Sequence, residues 1–246
     1  MVLFIEMTET NASLSPQVPQ GVPNFSQAFI VSDLHLGSPY FSPRPFLAWL
    51  DSLPGAVPLI LNGDVIDDPR HPLDQAHQTV LARLVAESHQ RPLVWVYGNH
   101  DEGLSLAETG QIQFARHWSI GRRLLIVHGD DLDEVMPRHY YFKKFFKWVH
   151  RLRIRLGFPD MHVAQYAKKW GLLYRVLNQH IARKALRLAR SQGFAAVTCG
   201  HTHAAMDLRE DGVRYLNTGA WTEAPHHFIA LTPDDIQLCV YQCPAS

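Results

Sequence analysis

The sequence predicts an α/β protein, and three observations carry that reading. Five short apolar runs of strand character each end in a polar cluster. Segments with helical spacing lie among them, and 246 residues with 46% hydrophobic content suffice for one large domain with a real core, with or without an insertion. The runs are Phe29 to Ser32, Val57 to Asn62, Leu93 to Tyr97, Leu124 to Val127 and Ala195 to Cys199. They lead into Asp33-Leu34-His35, Gly63-Asp64-Val65-Ile66-Asp67, Gly98-Asn99-His100-Asp101, His128-Gly129-Asp130 and Gly200-His201-Thr202-His203. A strand that ends in amide, imidazole and carboxylate is poorly suited to a core and well suited to a site at the strand's carboxyl end.

Taken in order, the first 26 residues are rich in Ser, Thr, Pro, Gln and Asn and read as a flexible tail. Met1 to Met7 is apolar but short, lacks Lys and Arg and contains Glu6, so it makes a poor signal peptide, and the chain is expected to stay in the cytoplasm. Ala28 to Ser32 is the first buried strand, and Asp33 and His35, two apart, leave its turn on the same side. Alone, Asp33 would be a turn or helix cap; the other four blocks favour ligation. Pro45 to Leu53 is a short helix with Pro45 in its first turn, and Gln75 to Ser88 carries Val80, Leu81, Leu84 and Val85 at helical spacing. Arg122 to Val127 is a strand entering His128, which alone would be an ordinary hydrogen-bonding residue. Asp130 is a candidate to orient it. Arg214 to Leu216, Phe228 to Leu231 and Ile236 to Tyr241 are closing strands.

No stretch reaches the length of a membrane-spanning helix, and there is no internal repeat. The three cysteines, Cys199, Cys239 and Cys243, are odd in number and unclustered; Cys199 reads as a small buried thiol, and the set suits a reducing cytosol.

Residues 131 to 190 differ from the rest. They hold fourteen Lys and Arg against four Asp and Glu, a net of +10, so in a neutral chain the remainder carries −10. Tyr141 to Leu156 places Phe142, Phe145, Trp148, Val149, Leu152 and Leu156 at helical spacing, with Lys143, Lys144, Lys147, Arg151 and Arg155 mostly around the other side. That composition suits an anionic membrane surface or an acyl-chain pocket. Gly157-Phe158-Pro159 breaks the helix, and further helices are expected at about Met161 to Trp170 and Leu172 to Arg190. The stretch reads as a helical lid, with a solvated charged face on packed helices, or a nucleic-acid-binding surface, as the competing readings.

Aspartate and imidazole in quantity, without thiolates, suit divalent metals of intermediate hardness such as manganese, iron or zinc. The ordered set Asp-x-His, Gly-Asp-x-x-Asp, Gly-Asn-His-Asp, His-Gly-Asp and Gly-His-x-His resembles the calcineurin-like metallophosphoesterases over roughly residues 27 to 241. The resemblance implies a four-layer α/β/β/α sandwich with two mixed sheets and a helical lid insertion at about 131 to 190 of a domain spanning 27 to 246. It also implies two divalent cations: one held by Asp33, His35, Asp64 and His203, the other by Asp64, Asn99, His128 and His201, with Asp64 as the bridge. By the same resemblance His100 contacts the phosphate and protonates the leaving oxygen, while Asp67 accepts a hydrogen bond from it. Asn99, His100, Lys143, Lys144 and Lys147 are the expected substrate contacts.

Within that family the Ser32-Asp33-Leu34-His35-Leu36-Gly37 opening, the helical insertion and the segment Asn217 to Glu223 resemble the bacterial UDP-2,3-diacylglucosamine diphosphatases. The best-known members of that subgroup have Arg where this chain has His100, and often Asp where it has Ala220. The resemblance implies hydrolysis of a phosphodiester or pyrophosphate bond in a nucleotide-linked or lipid substrate, with manganese as the first choice of metal. Peripheral attachment to the inner face of an anionic membrane follows, and nucleic acid is not the expected partner. A soluble nucleotide or cyclic-nucleotide phosphodiesterase is the alternative, and a membrane- or nucleic-acid-binding module with a structural metal site is a third.

Overall fold

A computed structural model of the chain describes residues 25–101, 104–133 and 171–243. The expected helices at 141–156 and 161–170, with Lys143, Lys144 and Lys147, lie outside the described residues, as does most of the expected N-terminal tail.

The first sheet begins with β1 (Ala28–Val31), β2 (Leu59–Asn62) and β3 (Leu93–Val96), which pair in parallel in that order. Helices α1 (Pro43–Ser52) and α2 (Gln75–Ser88) make the crossovers that parallel neighbours require. β4 (Gln113–Ala115) extends the sheet beside β3. On the other edge β10 (His226–Leu231) pairs antiparallel with β1, and β11 (Ile236–Tyr241) with β10.

The second sheet runs β5 (His117–Ile120), β6 (Leu124–Val127), β7 (Ala196–Cys199), β9 (Val213–Asn217), β8 (Met206–Glu210). α3 (Gly171–Ser191) joins β6 to its parallel neighbour β7. Both sheets are therefore mixed, as the sequence predicts.

The layers follow from the two-residue period of a strand. In β2, Ile60 points into a core between the sheets with Ile30, Val94, Ile126 and Leu216. Its neighbours Leu59 and Leu61 point the other way, against Phe46, Trp49, Val80 and Leu84 of α1 and α2. A third core sets Ala182, Ala185, Leu186 and Ala189 of α3 against Leu125, Val127, Val197 and Tyr215 on the far face of the second sheet. Strands β1 to β3, β6 and β7 are buried on both faces, which explains why they read as unbroken apolar runs. The arrangement is a four-layer α/β/β/α sandwich. The stretch expected as the last lid helix, Leu172 to Arg190, is α3, and its apolar face packs on the sheet as one of the four layers.

Two local details differ from expectation. α1 starts at Pro43, two residues earlier than read from Pro45, because both prolines occupy a first turn whose backbone N–H groups need no intrahelical acceptor. α2 keeps its expected bounds, with the Asp74 carboxylate capping the His77 N–H at 2.9 Å. Among the described residues no helix is long and apolar enough to cross a membrane.

Candidate metal centre

The polar blocks leave the carboxyl ends of β1, β2, β3, β6 and β7, and the sandwich brings these ends together. Asp33, His35 and His203 form one group in which candidate ligand atoms lie within 4.8 Å of one another; Asp64, His128 and His201 form a second, and His35, Asp64 and His100 link the two. His203 Nε2 lies 3.3 Å from Asp33 Oδ1 and 3.1 Å from His35 Nε2. His128 Nε2 lies 3.2 Å from Asp64 Oδ2, and His201 Nδ1 lies 3.0 Å from Asn99 Oδ1. All seven expected ligands thus meet in one place.

The backbone is bent to hold them. Asp33, His35, Asp64, His201 and His203 have φ between 52° and 64°, in the left-handed region that side-chain-bearing residues seldom adopt. Such strain costs about 1–3 kcal/mol per residue and persists only where the surroundings enforce it. Here they do: Asp33 N–H donates to the Gly63 carbonyl and His35 N–H to that of Asp64, each at 3.0 Å. The Asp33 carboxylate accepts the His201 N–H at 3.0 Å, and the Asp64 carboxylate accepts the His100 N–H at 2.9 Å. Two glycines admit this crowding. A Cβ on Gly98 would overlap the Asp64 carboxylate, and one on Gly200 would overlap that of Asp33.

The electrostatics fit a cation site. Burial alone would raise the Asp64 carboxyl, but His128, together with His100 and His35, holds it well below the usual carboxylate range. Burial likewise opposes the charged form of His128, and the Asp64 carboxylate overrides it, pushing the imidazole up to about 10. Burial lowers His203 despite its contact with Asp33. Asp33 Oδ2 is buried with no hydrogen-bond partner, and His128 Nε2 faces Asp64 without hydrogen-bond geometry. A buried carboxylate with one oxygen lacking a donor, its other oxygen 3.3 Å from His203 Nε2, and two imidazole nitrogens 3.1 Å from each other make a donor set that a divalent cation satisfies.

Two expected contacts are different. The Asp67 carboxylate lies on His35, with Oδ1 3.0 Å from Nδ1, while His100 Nδ1 donates to the Asp67 backbone carbonyl at 2.6 Å and is 3.9 Å from the carboxylate. His128 is oriented not by an Asp130 contact but by the carbonyl of Asn62, 2.8 Å from Nδ1, since Asn62 ends the adjoining strand and its side chain also donates to the Val127 carbonyl at 3.1 Å. The His100 side chain is 40% exposed at the rim of the site.

Five further residues support the site in ways that the sequence does not assign to them. The buried Asp101 carboxylate accepts from the N–H groups of Val65 (3.1 Å), Ile66 (3.1 Å) and Gly98 (3.2 Å) and from Trp95 Nε1 (3.2 Å). It ties the Asp64 loop to the Asn99 loop. Asn217 donates to the Gly200 carbonyl and accepts from the Gly219 N–H, each at 2.8 Å, so the segment after β9 supports the His201 loop. Trp221 N–H then caps the Asp33 carbonyl at 3.0 Å. Asn62 and Asp133 complete the set, with Asp133 Oδ2 3.0 Å from His201 Nε2. Polar residues at strand ends were the available signal for Asn62 and Asn217; nothing in the spacing marked Asp133.

The family model for calcineurin-like phosphoesterases matches residues 28–205. Solved structures similar to the chain include Vacuolar Protein Sorting 29 from Cryptosporidium parvum, 16% identical, covering 89% of this chain and 91% of that one with a TM-score of 0.46. The phosphoesterase YfcE from E. coli is 16% identical, covering 85% and 90%, with a TM-score of 0.43. The Pseudomonas putida nuclease MPE is 14% identical, covering 86% and 87%, with a TM-score of 0.41. A search of curated proteins finds no match to the chain. With its five blocks gathered at the strand ends and more than half its length matched by one family model, the chain belongs to the calcineurin-like phosphoesterase family.

Proposed function

We propose that the chain is a hydrolase that uses two divalent cations, manganese by first choice, to cleave a phosphodiester or pyrophosphate bond. The observation that carries this is Asp64: it belongs both to the group with His35 and to the group with His128 and His201, as a bridging carboxylate must. When bound, the cations would supply Lewis-acid polarisation of a phosphoryl oxygen and acidify water. Asp33, His35, Asp64 and His203 would hold one, and Asp64, Asn99, His128 and His201 the other. His100 has its Nδ1 proton committed to the Asp67 carbonyl, which leaves Nε2 to face substrate. Water adds to phosphorus and gives up a proton to solvent, the bond from phosphorus to the leaving oxygen breaks, and that oxygen takes its proton from Nε2 of the His100 imidazolium, whose Nδ1–H stays on the Asp67 carbonyl. Asn99 and His100 are the substrate contacts within the site.

The finer reading is a UDP-2,3-diacylglucosamine diphosphatase-like enzyme acting on a nucleotide-linked lipid, cytoplasmic and peripheral on an anionic membrane. It is supported by the +10 charge of residues 131 to 190, including Lys143, Lys144 and Lys147, and by the Ser32 to Gly37 and Asn217 to Glu223 segments. His100, where that subgroup has Arg, favours a soluble nucleotide or cyclic-nucleotide phosphodiesterase as the second reading.

Manganese-stimulated hydrolysis of bis-p-nitrophenyl phosphate by the wild type and by His100→Ala tests the enzyme reading. Activity that falls in the variant is expected, and inactivity of both would defeat it. Charge reversal at Lys143, Lys144 and Lys147 should then weaken vesicle binding and turnover of a lipid pyrophosphate. Equal turnover of soluble nucleotides, with no vesicle binding by the wild type, would select the second reading.

A further inference from the structure

We propose that Asp133 is a positioning residue that acts through His201 to set the affinity of the second cation, an inference that rests on the two-cation reading above. The His201 imidazole is bracketed: Nε2 lies 3.0 Å from Asp133 Oδ2, and Nδ1 lies 3.0 Å from Asn99 Oδ1. A neutral imidazole has one N–H and can donate to only one of these oxygens. The carboxylate is the stronger acceptor, so the proton belongs on Nε2, and the Nδ1 lone pair is left to face the same point as the amide oxygen of Asn99. Those two atoms are candidate ligands of one cation.

Charge explains why a carboxylate stands there. The ligand set proposed for the first cation contains two carboxylates, Asp33 and Asp64, whereas the set proposed for the second has Asp64 alone beside an amide and two imidazoles. The first group also has a carboxylate-backed imidazole, since Asp67 sits on His35 Nδ1 at 3.0 Å, while His128 Nδ1 is held by a neutral carbonyl. With Asp133 behind His201, each group has one imidazole made more basic by a carboxylate, and the second gains negative charge without a further ligand.

The position is built, not incidental. Asp133 is 5% exposed and closes the 3-10 turn Asp130–Leu132, which starts at Gly129 with φ 107°. Leu132 N–H donates to the Gly129 carbonyl and Asp133 N–H to that of Asp130, each at 3.1 Å, so the backbone that carries the carboxylate is fixed to the residue after His128.

The test is manganese titration of the metal-free full chain by calorimetry, with electron paramagnetic resonance of the same samples. The wild type should take up two ions and give the coupled signal of a manganese pair. Asp133→Ala should weaken one binding step by about 10–100-fold and leave the other unchanged, so that sub-saturating samples show isolated ions. Asp133→Asn, whose side-chain oxygen still accepts the Nε2–H but carries no charge, should fall between them. That partial rescue is what a merely structural role would not give, and the Asn variant decides the matter if the Ala variant melts early. Folded variants that bind both ions as tightly as wild type, or lose both steps equally, would overturn the assignment while leaving the two-cation reading intact. A wild type that takes up no manganese would overturn both.

Discussion

The Asp67 carboxylate is 3.0 Å from Nδ1 of His35, and the neighbouring His100 is held instead by the Asp67 backbone carbonyl at 2.6 Å. One residue therefore positions two imidazoles by two different groups, and a side-chain substitution separates them. Asp67→Ala is expected to lower cation affinity by about 10–100-fold, because His35 loses the partner that fixes its tautomer. It should leave the carbonyl contact to His100 in place. His100→Ala should do the reverse, keeping wild-type cation affinity while lowering turnover by about 10²–10⁴-fold. Calorimetric manganese titration of both variants beside their kcat values checks the pair.

The glycines nearest the carboxylates give a second prediction. A methyl group at Gly98 would displace the Asp64 carboxylate, and one at Gly200 would displace that of Asp33. Gly98→Ala and Gly200→Ala are each expected to cost about 1–3 kcal/mol in urea denaturation, the usual range for an overpacked site, and to reduce manganese uptake. Gly55→Ala is the control: nothing lies within 4 Å of its added Cβ, so its stability should stay within about 0.5 kcal/mol of wild type.

What the sequence made legible divides along physical lines. Strands buried on both faces leave an unbroken apolar signature, so β1, β2, β3, β6 and β7 and the blocks at their ends were readable. β4 and β8 were not, because Gln113–Ala115 is only three residues long and Met206–Glu210, though it alternates, has no fully buried residue to mark it as a core strand. β5 was missed as well, a four-residue strand that opens on His117. In the site, the candidate side-chain ligands are visible as motifs, whereas the carbonyls of Asn62 and Asp67 that orient His128 and His100 belong to the backbone and have no residue-type signature. Asp133 escaped because its partner His201 is 68 positions away and only the fold brings them together.

His128 supplies a pH prediction for the metal-free protein. Its ionisation is pushed up to about 10 against an unfolded value near 6.5, with burial opposing the charge and Asp64 more than compensating. The pairing contributes fully to stability below about pH 6.5 and is lost as pH rises through about 10. Urea denaturation of chelator-treated protein should therefore show stability declining over that window, and the decline should be smaller in His128→Asn. A divalent cation needs the neutral imidazole, so manganese binding near pH 8 should release protons, measurable as heats that depend on the buffer's ionisation enthalpy.

Asp101 carries the last prediction. Its carboxylate is fully buried and accepts from the Val65, Ile66 and Gly98 N–H groups and from Trp95 Nε1. An ionised carboxylate offers acceptor sites on both oxygens, whereas an amide offers one oxygen and presents N–H groups where the other stood. Ile66 donates to Oδ1 alone, Gly98 and Trp95 to Oδ2 alone, and Val65 to both at 3.1 and 3.4 Å, so Asp101→Asn strands either Ile66 or the Gly98 and Trp95 pair, whichever way the amide is turned. Each stranded buried donor costs about 1–3 kcal/mol, so with one or two stranded the variant should be destabilised by about 1–6 kcal/mol in urea denaturation. If the amide keeps Val65 and Ile66, the Asn99 loop is the one released, and manganese uptake should fall first at the site that uses Asn99. Trp95→Phe removes one donor together with its need for an acceptor, and in the Asp101→Asn background it should restore part of the loss.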